Sequence, residues 1–176
     1  MTQPAPALEL LFPAEAIDAA VDRLAARIAA DYAGREPVLI GILKGSFLFL
    51  ADLCRRLPMP LAVDFIRLAS YGSGMSSTRQ VRLTKDAELP LEGRDILIVE
   101  DIVDSGHTVV FLREHFRKFA PRSVRIVTLI DKRARREVQA EADYVGFTID
   151  DGFIVGYGLD LDERYRNLPG IYLVKT

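Results

Sequence analysis

Short apolar runs alternate with amphipathic segments over the first 130 residues of the chain, and this alternation constrains the fold most. Four runs predict strands: PVLIGIL (37–43), LAVDFIRLAS (61–70), RDILIVE (94–100) and VRIVTLI (124–130). Three of the four are nearly continuous, as expected for parallel strands that are covered on both faces. Segments with apolar residues three or four positions apart predict helices over 13–33, 46–57 and 108–120.

Strands that alternate with helices imply the α/β class, with an open, mostly parallel sheet flanked by helices. The chain has 176 residues, so one domain over residues 1–176 is the default. After residue 143 the pattern changes to three short strands with little helix between them, DYVGFTI, FIVGYGL and IYLVK.

Composition excludes several classes of protein. The formal charge of -2 argues against a protein that binds nucleic acid by bulk electrostatics. The single cysteine, Cys54, forms no internal disulfide and fits a reducing compartment, and its spacing indicates a core residue rather than a nucleophile. The first ten residues do not resemble a signal peptide, and no apolar run is long enough to span a bilayer. We therefore expect a cytoplasmic protein without a membrane partner.

Polar residues follow three of the predicted strands at the point where each strand ends. Lys44-Gly45 follows the first, Glu100-Asp101 another and Asp131-Lys132 a third. Ligands of open α/β sheets bind at the carboxyl ends of the strands, so these residues form a candidate site if the three ends converge.

The segment ILIVEDIVDSGHTV (96–109) reads as a buried strand, a loop and the start of a helix. A helix N-terminus suits a phosphate, yet Glu100, Asp101 and Asp104 place three acids there. One interpretation is a plain turn with helix-capping residues. The other divides the loop: its second half, Ser105 to Thr108, binds phosphate, and the acids face ribose hydroxyls or a hard cation such as Mg²⁺.

This segment closely resembles the phosphoribosyl-pyrophosphate signature of the type I phosphoribosyltransferases. The Glu-Asp pair is similar to the acidic pair in the branch of that family that acts on hypoxanthine and guanine. The resemblance extends from about Val38 to the end of the chain and implies the type I fold. In that fold a core of roughly residues 13–140 carries a small hood of roughly 141–176 together with the N-terminal segment.

The resemblance implies a role for each part of the signature. Glu100 and Asp101 hold the ribose hydroxyls with Mg²⁺, and Asp104 is the catalytic acid–base residue beside the purine N7. The 5-phosphate is bound by Ser105, Gly106, His107 and Thr108. Position 107 more often carries Asn or Lys in the family, but it binds through the backbone.

Two further loops match the family. Lys44-Gly45 resembles the loop that binds pyrophosphate after a non-proline cis peptide, although alone it reads as a turn with an exposed Lys. ASYGSGMSSTRQVRL (69–83) resembles the flexible lid, with Ser70 and Tyr71 at its root, although its composition alone indicates a disordered hairpin tip.

The purine site is also implied by resemblance. Lys132 selects 6-oxopurines by donating to O6, Phe153 stacks on the base and the Ile154 backbone meets its 2-position. Arg166 binds pyrophosphate and Asp160 approaches the metal. Read without the resemblance, Phe153 is a core residue, Arg166 is a surface residue and DKRARR (131–136) is a solvated run.

The resemblance thus implies transfer of the phosphoribosyl group to N9 of hypoxanthine or guanine, giving IMP or GMP and pyrophosphate. It also implies a homodimer or homotetramer. Two rivals remain open: a phosphoribosyltransferase for adenine, a pyrimidine or xanthine, and an RNA-binding or transcription regulator that keeps the pocket as a sensor.

Overall fold

The computed structural model describes residues 6–71 and 80–175. In chain order, their strands and helices are β1 (Ala7–Phe12), α1 (Ala14–Asp31), β2 (Val38–Leu43), α2 (Phe47–Arg56), β3 (Ala62–Tyr71), β4 (Gln80–Lys85), β5 (Asp95–Val103), α3 (His107–Arg117), β6 (Ser123–Lys132), β7 (Tyr144–Ile149), β8 (Ile154–Val155) and β9 (Ile171–Lys175).

Six strands form the main sheet in the order β4-β3-β2-β5-β6-β7. All neighbours are parallel except β3 and β4, so the predicted open and mostly parallel sheet is confirmed. The chain leaves β2 toward one edge of the sheet and leaves β5 toward the other. The adjacent carboxyl ends of β2 and β5 therefore form the switch point, where open α/β sheets bind ligands.

The two central strands are apolar throughout because helices cover both faces of the sheet. Leu39 of β2 lies opposite Leu97 of β5, and both pack into the core beneath α1 and α2. Their neighbours Ile40 and Ile98 point to the other face and pack against α3. Burial on both faces thus produces the nearly continuous apolar runs in the sequence.

A second sheet of three strands, in the order β1-β9-β8, lies beside the main sheet in the fold. Its strands are antiparallel, and the N-terminal β1 pairs with the C-terminal β9. Strand β7 lies within the predicted hood range of 141–176 but pairs with β6 of the main sheet. The division into core and hood stays a prediction.

His115 belongs to an aromatic cluster on the flank of α3. Its side chain is only 16% exposed and pairs with Asp86 at 2.9 Å. The imidazole also stacks on Phe111 and meets the edges of Phe116 and Phe119. The helix spacing that identified the core face of α3 did not reveal this aromatic cluster, which forms on its flank.

No helix in the described part of the chain is long and apolar enough to cross a membrane.

Candidate active site

The acidic pair lies within β5, which continues past Glu100 and Asp101 to Val103. Glu100 is buried, and its burial together with the neighbouring carboxylate raises the pKa of Glu100 well above its usual value. Burial also raises the pKa of Asp101. The Asp101 carboxylate accepts a hydrogen bond from the amide of Ile102 at 3.0 Å. A cation or hydroxyl donors beside the pair would favour its charged form.

A cavity of about 80 Å³ lies between the end of β5 and the start of α3. Gly106 precedes α3 with a φ of 91°, and the first amides of the helix have no intrahelical acceptor. The residues that line the cavity are Glu100, Ile102, Val103, Asp104, Ser105, Gly106, Thr108 and Val109. The side chain of His107 instead contacts the Glu137 carboxylate at 3.0 Å. The free amides and the helix dipole suit a phosphate in this cavity.

A segment after β6 supports this loop from behind, a contact that the sequence did not predict. The amides of Glu137 and Val138 donate to the carbonyl of Ser105 at 2.9 and 3.3 Å. Nε of Arg136 donates to the carbonyl of Asp104 at 3.1 Å. Because these bonds hold the carbonyls on the rear side, they fix the orientation of the peptides whose amides face the cavity. The only signal in the sequence was the basic run that contains Arg136.

The loop after β2 comes against the acidic pair. The peptide between Leu43 and Lys44 is cis, as the resemblance implies. A Cβ added at Gly45 would overlap the carboxylate of Asp101, so only glycine permits this approach. A Cβ added at Gly158 would in turn overlap the carbonyl of Gly45. The structure therefore brings the predicted pyrophosphate loop against both β5 and the segment after β8.

Arg166 completes this side of the site from the C-terminal segment. Its guanidinium donates to the carbonyl of Gly158 at 2.7 Å and pairs with Asp160 at 2.8 Å and Glu163 at 3.2 Å. The ammonium of Lys44 pairs with the same Glu163 carboxylate at 2.9 Å. Hydrogen bonds from Lys44 and Arg166 lower the pKa of Glu163. The two predicted pyrophosphate-binding cations thus share one carboxylate.

The predicted metal ligands lie in two places. Glu100 and Asp101 are adjacent on β5, whereas Asp160 pairs with Arg166. Within residues 6–71 and 80–175, no group of three Asp, Glu, His or Cys side chains converges as a metal site. Carboxylate oxygens suit Mg²⁺, which commonly binds through one or two carboxylates and takes its other ligands from water and substrate oxygens.

Lys132 lies at the end of β6, beside the phosphate loop. It is buried, and its Nζ lies 4.0 Å from Oδ2 of Asp104 and 3.7 Å from Oδ1 of Asp151. The guanidinium of Arg135 also approaches Asp104, at 3.9 Å. Oδ1 of Asp104 is buried and has no hydrogen-bond partner among the described residues. The site thus places a buried ammonium beside the Asp104 carboxylate, whose other oxygen is free to accept a hydrogen bond.

Phe153 is 51% exposed, although its sequence context alone indicates a core residue. The adjacent Ile154 is buried at the start of β8, and the carbonyl of Phe153 accepts a hydrogen bond from Val174 of β9. The small sheet therefore fixes the backbone and leaves an aromatic face open. Arg166, by contrast, is not the surface residue that its sequence context indicates, since its side chain is only 18% exposed.

The predicted lid lies largely outside the described residues. Ser70 and Tyr71 end β3, but their side chains and residues 72–79 are not described. Their role in covering the site stays a prediction.

With this geometry in place, comparison with known proteins shows the family. The phosphoribosyl transferase domain matches residues 9–162, which is most of the chain. The chain belongs to the phosphoribosyl transferase family. The predicted membership is confirmed, and so is the fold class, because solved phosphoribosyltransferase structures superpose on nearly the whole of this chain.

The relatives within the phosphoribosyl transferase family carry closely related names. Hypoxanthine phosphoribosyltransferase of Salmonella typhimurium is 48% identical over 92% of this chain and 92% of its own length. Hypoxanthine-guanine phosphoribosyltransferase of Bacillus subtilis is 45% identical over 95% of this chain and 93% of its own. The crystal structure of a hypoxanthine-guanine phosphoribosyltransferase from Bacillus anthracis superposes with a TM-score of 0.91 at 45% identity, covering 95% of this chain and 98% of that one.

Proposed function

We propose that the protein transfers the 5-phosphoribosyl group of phosphoribosyl pyrophosphate to N9 of hypoxanthine or guanine. The products are IMP or GMP and pyrophosphate. The observation that carries this proposal is the pairing of buried Lys132 with Asp104, which lines a phosphate-sized cavity. The names of the similar proteins agree with it.

The end of β5 would bind the phosphoribosyl group. The amides and hydroxyls of residues 105–108 would donate to the 5-phosphate, since they line or adjoin the cavity. Glu100 and Asp101 would accept hydrogen bonds from the two ribose hydroxyls. Arg136 would hold the loop in place by donating a hydrogen bond to the carbonyl of Asp104.

Lys44 and Arg166 would bind the pyrophosphate group, because these two cations meet at the carboxylate of Glu163. Arginine suits a polyanion because its planar fork donates two parallel hydrogen bonds. Mg²⁺, when bound, supplies positive charge that stabilises the leaving pyrophosphate. Glu100, Asp101 and Asp160 would hold it, with substrate oxygens as further ligands.

The purine would lie between Phe153 and the ribosyl centre. Lys132 has only donors, so it would donate to O6 of hypoxanthine or guanine but oppose the donors of the adenine amino group. The exposed ring of Phe153 would stack on the base, and the backbone of Ile154 would meet the 2-position. Asp104 would take or return the proton at N7, since its free Oδ1 is available to accept one.

The basic run 131–136 does not form the free cationic patch that an RNA-binding regulator needs. Arg133 and Arg136 both pair with Asp131, and Lys132 and Arg135 both approach Asp104. Each of these cations is engaged within the protein, which supports the enzyme over the regulator. Assembly as a homodimer or homotetramer and a cytoplasmic location stay predictions.

The test is nucleotide formation from phosphoribosyl pyrophosphate and Mg²⁺ with hypoxanthine, guanine, xanthine and adenine in parallel. The proposal predicts turnover of hypoxanthine or guanine and little turnover of adenine. Equal or better turnover of adenine would contradict the role of Lys132. No turnover with any base, from folded protein that binds phosphoribosyl pyrophosphate, would favour the sensor.

A further inference from the structure

We infer that Glu163 is an internal counter-ion of the pyrophosphate subsite, which pyrophosphate must displace in order to bind. The inference rests on the proposed function and concerns a residue to which the proposed reaction gives no role. Glu163 lies 119 positions from Lys44 in sequence, and its carboxylate bridges Lys44 and Arg166. It therefore occupies the place between the two cations that an anionic ligand of the pair would take.

The four ion-paired side chains of this cluster carry no net charge without a ligand. The two cations, Lys44 and Arg166, are matched by two carboxylates, Asp160 and Glu163. A polyanion gains little from a neutral cluster, so at least one carboxylate has to leave or be neutralised before pyrophosphate binds well. A bound divalent cation would neutralise Asp160, which leaves the charge of Glu163.

Glu163 is also the carboxylate that is placed to leave. Its side chain is 62% exposed, against 30% for Asp160. Its backbone is held independently, because its amide donates to Asp160 Oδ2 at 2.9 Å. The side chain can therefore rotate into solvent while the loop stays fixed, at the cost of two ion pairs whose shared carboxylate is solvent-exposed.

Two consequences follow for the reaction. In the free enzyme, Glu163 holds Lys44 and Arg166 at the subsite. After transfer, the same carboxylate competes with pyrophosphate for both cations and favours its release. Removing the charge should tighten pyrophosphate binding and slow its dissociation, by about 3- to 20-fold for the two pairs.

The experiment compares the Kd of inorganic pyrophosphate, at fixed Mg²⁺, for the wild type, Glu163→Gln and Asp162→Asn. Asp162→Asn is the matched control: it removes a neighbouring charge from the same loop, and Asp162 forms none of the described ion pairs to Lys44 or Arg166. The inference predicts tighter binding by Glu163→Gln only. The Kd for IMP, which has no pyrophosphate group, should stay within about twofold.

A Lys44→Ala background tests the coupling directly. There the gain from Glu163→Gln should shrink, because one of the two competing ion pairs is already absent. Equal or weaker pyrophosphate binding by Glu163→Gln, in protein that still forms IMP, would overturn the inference and leave the proposed function intact. Wild-type protein that neither binds pyrophosphate nor forms IMP would overturn both.

Discussion

The Nζ of Lys132 lies 4.0 Å from Oδ2 of Asp104, although Lys132 ends β6 and Asp104 follows β5. Strands β5 and β6 are parallel neighbours, with Val103 opposite Asp131, so the residues that follow them meet at one edge. A purine bound there would contact a fixed donor and a free acceptor at once. In the proposed reaction, base selection and proton transfer would thus depend on the register of two strands.

Replacing Lys132 by Gln should reduce selection for 6-oxopurines. A hydrogen bond from a charged donor contributes about 1.5–3 kcal/mol, so kcat/KM for hypoxanthine should fall about 10- to 100-fold while that for adenine falls less. The matched control is Arg133→Gln. Arg133 is next to Lys132 in sequence, but its side chain is 70% exposed and pairs with Asp131. Parallel losses for both bases would show that Lys132 does not read O6.

Replacing Gly45 by Ala should disturb the acidic pair. The added methyl group would overlap the Asp101 carboxylate, and overpacking of this kind costs about 1–3 kcal/mol. We expect a lower melting temperature and weaker binding of phosphoribosyl pyrophosphate, measured by calorimetry. Unchanged values for both would mean that the loop and β5 do not approach as closely as the structure shows.

Replacing Arg136 by Met should loosen the phosphate loop and destabilise the fold. Arg136 pairs with the buried carboxylate of Asp131 and donates to the carbonyl of Asp104. Breaking a buried pair costs about 3–5 kcal/mol in the free energy of unfolding. Arg133→Met is the control, because it removes a mostly exposed partner of the same Asp131. If the two variants bind IMP equally well and unfold at the same denaturant concentration, Arg136 does not support the loop.

Asp64 should make stability depend on pH. Burial opposes the shift, but hydrogen bonds from the amides of Leu89, Phe65 and Glu88 lower the pKa of Asp64 below its model-peptide value of 3.8. A lowered pKa in the folded state stabilises the protein above the unfolded value, and this contribution is lost as pH falls through the folded value.

The variant Asp64→Asn tests this dependence by urea unfolding. At pH 7 we expect it to be less stable by about 1–3 kcal/mol, because charged acceptors bind amides more strongly. The difference from the wild type should shrink as pH falls from about 5 to below 3.8. A difference that is constant over this range would contradict the assigned pKa direction.

The sequence predicted the central strands because burial on both faces leaves an unbroken apolar run, as in β2 and β5. It did not predict β4, a short edge strand whose alternating QVRLTK adjoins a segment rich in Gly and Ser. It also ended β5 at the acids, whereas pairing with β6 continues the strand to Val103. Acidic residues are disfavoured in strands, and here tertiary pairing overrides that tendency.

Most candidate site residues could be named from short motifs, because each motif lies within a few positions of a strand end. Contacts between distant segments could not be found in this way. The Glu163 bridge and the support from Arg136 depend on how the chain returns to the sheet, which no local pattern encodes.

The central claim is tested most directly by the rate of IMP formation with Asp104→Asn. General acid–base groups contribute about 10²- to 10⁴-fold, so we expect turnover of hypoxanthine to fall by that factor. The control is Asp151→Asn, which removes the other carboxylate beside Lys132 and should change turnover less than about threefold. A folded Asp104→Asn variant with near-normal turnover would contradict the account, because Asp104 would then have no part in the proton transfer.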